Sequence, residues 1–194
     1  MKRQLASLTS GVLNPFLVSV VVILLLSFES ASSVSDAVKW LLIFVTVSIL
    51  PVFLVIIYLA HNDKLEGIFI NVRGERHKIY LLAVCSIVAG CILLLNLGAP
   101  MVLVASLVAG LSAVFVFMCI NLLWKISIHT AFMAASVAVL TIVYGSVGVL
   151  AVMLVPPVAW ARIEMKHHSL AQTIAGALLA VLIVVVVFRL FGLA

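Results

Sequence analysis

The chain has 194 residues, of which 66% are hydrophobic and only 9% charged, with a formal net charge of +5. A soluble domain carries about 25% charged residues, and one of this size has too little interior to hide so much apolar side chain. The surplus must face lipid, and charges this sparse and this interrupted by apolar runs exclude a nucleic-acid-binding surface.

A membrane-crossing helix needs about 20 apolar residues. The first such run is 12–28, with Asn14-Pro15 near its start. It is long for the apolar core of a signal peptide and lacks a clean small-residue exit, so it reads as a retained span. A polar turn from Glu29 to Lys39 leads to a second run at 40–60. The longest polar stretch, His61 to Lys78, separates it from a third at 79–95. Asn96-Leu97-Gly98-Ala99-Pro100 reads as a tight turn before a fourth run at 101–123. Thr130 to Ala161 is too long for one span and short for two, and Gly145-Ser146 offers a turn within it. Two short helices are expected, about 130–145 and 147–161, the second distorted by Pro156-Pro157. The last run is 170–192.

The expectation is therefore an all-α polytopic transmembrane bundle of six or seven helices forming a single membrane domain over 1–194. The N-terminal helices occupy 12–60. The three cysteines, Cys85, Cys91 and Cys119, lie in apolar runs with neither metal-ligand spacing nor a disulfide framework.

Seven spans place the loops alternately on two faces. The face shared with the N-terminus receives Lys2, Arg3, Lys64, Arg73, Arg76, Lys78, Lys125, Arg162 and Lys166. It also receives all five histidines: His61, His77, His129, His167 and His168. The other face has only Glu29, Asp36, Lys39 and Arg189. A basic face ordinarily marks the cytoplasmic side, but basic residues gathered to bind phosphate produce the same asymmetry.

Three polar clusters meet at that face: 71–78, 125–129 and 162–168. Each lies at the mouth of a helix, where polar groups often serve only as interfacial anchors. Together they carry a chemistry. Arginine and lysine bind phosphate through charge-assisted bonds. A neutral histidine can attack phosphorus, and a protonated one can donate to a leaving oxygen. Ser127 and His129 fall at an expected helix N-terminus and His168 just before another, where amide donors favour an anion. No third ligand accompanies His167-His168 with metal-binding spacing.

Arg162, five residues, His168, and then Leu170-Ala171-Gln172-Thr173-Ile174-Ala175-Gly176 resemble the third signature of the type 2 phosphatidic-acid phosphatase superfamily. That signature runs Ser-Arg, five residues, His, three residues, Asp, and then an Ala-Gly helix. Ser127-Ile128-His129 resembles the second, Pro-Ser-Gly-His, and the basic stretch 71–78 resembles the first. The resemblance covers about 60–180, the phosphatase-like core. It implies His168 as the nucleophile that forms a phosphohistidine and His129 as the acid for the leaving group. Arg162, Ser127 and Arg76, or else Arg73, become phosphate binders, with Lys125 added by position. The implied substrate is a lipid phosphate or diphosphate monoester taken from the bilayer, without metal or cofactor. The implied location is a multi-pass protein of a prokaryotic cell membrane.

The departures from the pattern are specific. Ile126, Ile128 and Ala161 stand where the family has proline, glycine and serine, and Gln172 stands where an aspartate orients the nucleophilic histidine. A glutamine carbonyl can fix an imidazole tautomer, but it cannot stabilise an imidazolium as an anion does. A non-catalytic anionic-lipid binder or transporter on the same scaffold is the alternative these substitutions keep open.

Overall fold

The structure is a computed structural model that describes residues 1–61 and 73–194; of these, the side chains of 60 and 73–78 lie outside the description. Every regular element among the described residues is helical. The chain is a multi-pass membrane protein with five helices long and apolar enough to cross a bilayer, or six if one bent pair counts as a span. It falls into two compact units, one of Met1–Leu26 with Cys119–Ala194 and the other of Ser27–Met118.

The first unit opens with α1 (Lys2–Val12), a helix the sequence reading did not anticipate. Its polar residues keep it below the hydropathy of a span, and it buries only a narrow face of Ala6 and Ser10. Asn14 then does two jobs. Its amide nitrogen donates to the Gly11 carbonyl at 2.6 Å, closing α1, and its Oδ1 accepts from the Leu17 amide at 2.9 Å, opening α2 (Pro15–Ser30). Pro15 occupies the first helical position, where its missing N–H costs nothing. The two helices meet at a 40° bend.

The rest of this unit is built on α7 (Ile128–Tyr144), which packs along α10 (Leu170–Leu190). The buried side of α7 is rich in small residues, Ala131, Ala134, Ser136 and Ala138, and that of α10 carries Thr173, Gly176 and Ala180. Small side chains let backbones approach closely where lipid offers no hydrophobic drive between helices. Gly145, at φ +59°, ends α7. The return leg is α8 (Ser146–Val149), a 3-10 stretch (Leu150–Leu154) and α9 (Val155–Glu164). The expected turn at Gly145-Ser146 is present, and so is the expected distortion of the second helix: within the span Ser146–Glu164 a 3-10 stretch (Leu150–Leu154) directly precedes Pro156-Pro157, which have no N–H for the helical ladder.

In the second unit, α3 (Val34–Phe44), a π-helical turn (Val45–Ile49) and α4 (Leu50–His61) form one span, Val34–Leu59. The π turn has an identifiable cause. Pro51 has no N–H for the helical ladder, and the preceding Leu50 amide reaches back to the Val45 carbonyl, one residue further than in an α-helix. This span packs on α5 (Arg73–Asn96). A turn with Gly98 at φ +68° leads to α6 (Met101–Asn121), which continues into the first unit.

Candidate functional site: a basic, histidine-lined cluster at two helix N-termini

The site grows from three chain segments of the first unit. The first is the stretch before α7. Ser127 is extended (φ −85°, ψ 100°), fully buried, and caps the helix by position. Its hydroxyl pairs with the Thr130 hydroxyl at 2.9 Å, and its amide donates to the Gln172 carbonyl of α10 at 3.3 Å. Gly176 makes this contact possible. A Cβ there would lie 2.9 Å from the Ser127 carbonyl oxygen. The N-termini of α7 and α10 are therefore held side by side, and both carry partial positive charge.

The second segment is the end of α9. Lys166 sits at φ +58°, a left-handed position usually given to glycine. The Lys166 amide donates to the Ile163 carbonyl at 2.8 Å and the His167 amide to the Arg162 carbonyl at 3.1 Å. These are the paired bonds of a Schellman motif. The His168 amide also donates to the Arg162 carbonyl, at 3.3 Å. One oxygen thus ties Arg162 to both histidines, which fixes their spacing through the backbone.

The third segment opens α10. Ser169 and Gln172 form a reciprocal capping box: the Ser169 hydroxyl accepts from the Gln172 amide at 3.3 Å, and Gln172 Oε1 accepts from the Ser169 amide at 3.1 Å. The same Oε1 lies 3.3 Å from His168 Nδ1. An amide oxygen only accepts, so Nδ1 carries the proton and Nε2 presents its lone pair. Burial, with Arg162 and Lys125 nearby, pushes the His168 imidazole down to about 3, so it is neutral at ordinary pH. His167 is lowered by the same causes.

Among the sequence-predicted residues, the structure brings Ser127, His129, Arg162, His168 and Gln172 together, and places Lys125 within electrostatic range of His168. His129 lies within range of Arg162, His168 and His167. Arg162 is 3% exposed. The unit's only carboxylate side chain is Glu164, against Lys125, Arg162 and Lys166 around the cluster. Ile128 is the first residue of α7. The first basic cluster, with Arg73, Arg76, His77 and Lys78, lies outside the described side chains, as does Lys64.

Two contributors escaped the sequence reading. Ser10 of α1 accepts a 3.0 Å hydrogen bond from Arg162 Nη1, across a separation of 152 residues. Nothing in the local sequence marks it beyond its place one turn after Ala6. Ser169 had a legible signal, since Ser-x-x-Gln before an apolar run is a capping-box pattern. Among the described residues, no group of three or more His, Cys, Asp or Glu is arranged to hold a metal ion. Comparison with known proteins finds no matching family model, curated sequence or solved structure.

Proposed function

We propose that this protein is a membrane-embedded phosphatase that hydrolyses a lipid phosphate or diphosphate monoester in a prokaryotic cell membrane. One observation carries the reading: Lys125, His129, Arg162 and His168 converge where two helix N-termini meet, and His168 offers a neutral imidazole with Nε2 unprotonated. The resemblance of residues 127–129 and 162–176 to the phosphatidic-acid phosphatase signatures points the same way.

The chemistry follows from the groups. Arg162, Lys125 and the amides opening α7 and α10 neutralise the phosphate oxygens. The lone pair on His168 Nε2 attacks phosphorus while the bond to the lipid oxygen breaks, and protonated His129 gives that oxygen its proton. The incoming phosphate supplies the negative charge that lets His129 hold a proton beside Arg162. Neutral His129 then takes a proton from water, the hydroxide displaces the phosphohistidine bond, and inorganic phosphate leaves. Arg76 or Arg73 joins the phosphate binders by resemblance.

The test is phosphate release from a panel of lipid phosphates and diphosphates by purified protein with a chelator present. His168→Ala abolishes release, and His129→Ala lowers kcat by about 10²–10⁴. No release from any lipid, or full activity in His168→Ala, sinks the reading.

Gln172 favours a second reading, a non-catalytic binder of anionic lipids or a transporter. A neutral partner does not stabilise the cationic imidazole that phosphoryl transfer creates. Lipid phosphate binding without turnover, with no turnover gained by Ile128→Gly combined with an acidic residue at 172, selects it.

A further inference from the structure

We propose that Ser10 is a positioning residue for Arg162, which makes α1 part of the phosphate site. The inference rests on Arg162 as a phosphate-binding group. Both side chains are 3% exposed, and Ser10 Oγ accepts from Arg162 Nη1 at 3.0 Å. The contact is a built one: α1 packs along α9, and Ala6 and Ser10 are the residues it buries there.

A guanidinium has five N–H donors in a rigid plane. Fixing one terminal nitrogen limits rotation of the whole fork, so the remaining donors face a defined direction. Arg162's backbone is already held at the end of α9, where its carbonyl accepts the His167 and His168 amides. Ser10 supplies what the backbone cannot, the orientation of the far end of a long side chain. The hydroxyl is neutral, so it orients the cation without cancelling the charge a phosphate would meet, as a carboxylate in its place would do.

The experiment measures lipid phosphate turnover and, separately, thermal stabilisation of the full-length protein by inorganic phosphate and orthovanadate. Ser10→Ala is expected to raise KM and weaken phosphate stabilisation by about three- to tenfold, with a smaller change in kcat. Ser10→Thr, which keeps the hydroxyl, restores the affinity. In an Arg162→Ala background Ser10→Ala has no further effect on phosphate affinity, because the two residues act as one. A purely structural role instead gives additive losses, and that result overturns the proposal. Phosphate affinity in Ser10→Ala equal to wild type, in a folded protein, overturns it while leaving the phosphatase reading intact. A wild-type protein that neither turns over lipid phosphates nor is stabilised by phosphate or vanadate overturns both.

Discussion

Gln172 accepts two hydrogen bonds through one oxygen, from the Ser169 amide that opens α10 and from the His168 ring. That double use decides which substitution adds a charge without breaking the site. Aspartate, the residue of the resembling signature, is one methylene shorter and must give up one contact. Glutamate keeps the reach and satisfies the capping box. Gln172→Glu is therefore expected to raise the His168 pKa, seen by NMR of the imidazole, and under the proposed phosphatase reading to shift the acid limb of the pH–rate profile upward and increase kcat. Gln172→Asp does less and costs helix stability. The depressed His168 pKa also has a stability consequence. An unfolded histidine takes up its proton near 6.5, whereas His168 in the folded chain waits until about 3. The unfolded state binds more protons between these values, so the contribution of this group is complete above about 6.5 and is lost as the pH falls toward 3. Melting in detergent from pH 8 to pH 4 is expected to show the loss below 6.5, with a shallower slope for His168→Gln.

At the scale of elements, two glycines differ in whether a second substitution can relieve the clash an added side chain makes. A side chain at Gly176 meets the Ser127 backbone carbonyl, which cannot move without shifting the start of α7. Gly176→Ala is expected to cost about 1–3 kcal/mol and to weaken phosphate binding with it. A side chain at Gly90 of α5 instead meets the Ser48 hydroxyl in the π turn. Gly90→Ala is expected to lower the melting temperature, and Ser48→Ala to restore it, because the obstacle is a removable oxygen. Lys166 is a third case. Its left-handed backbone carries a strain of about 1 kcal/mol, so Lys166→Gly is expected to raise thermal stability while leaving the Schellman bonds in place.

Much of the molecule was legible because each apolar run is also a helix. The run at 79–95 is the span Ile79–Asn96, and the run at 170–192 is Leu170–Leu190. The Gly145 turn and the Asn96–Pro100 turn follow from residues that end helices. Where boundaries slipped, polar side chains hid helix. The second run, expected from 40, begins at Val34, because Ser33 caps the helix and Asp36 is paired with Lys39 within its first turns. Helix α1 was missed for the same reason. The site's two central segments were legible from residue types at helix mouths, but Ser10 was not, since no local pattern reports a partner 152 residues away. Cysteine chemistry checks the whole arrangement. Cys85 is exposed and lies within a helix long and apolar enough to cross a bilayer, where the expected neighbour is lipid. In intact proteoliposomes Cys85 is expected to resist a charged maleimide and to react once detergent and denaturant are added.

The carbonyl of Arg162 that holds the His167 and His168 amides bears on how this chain can drift. Side chains around it can be exchanged one at a time, because the backbone sets the spacing. Length is another matter. One residue added or removed between Arg162 and His168 destroys the Schellman turn and swings the imidazole away from the guanidinium. A residue added in the 3-10 stretch before α9 leaves that pair untouched. Descendants of this sequence should thus vary in spelling between Arg162 and His168 and hardly at all in the letter count.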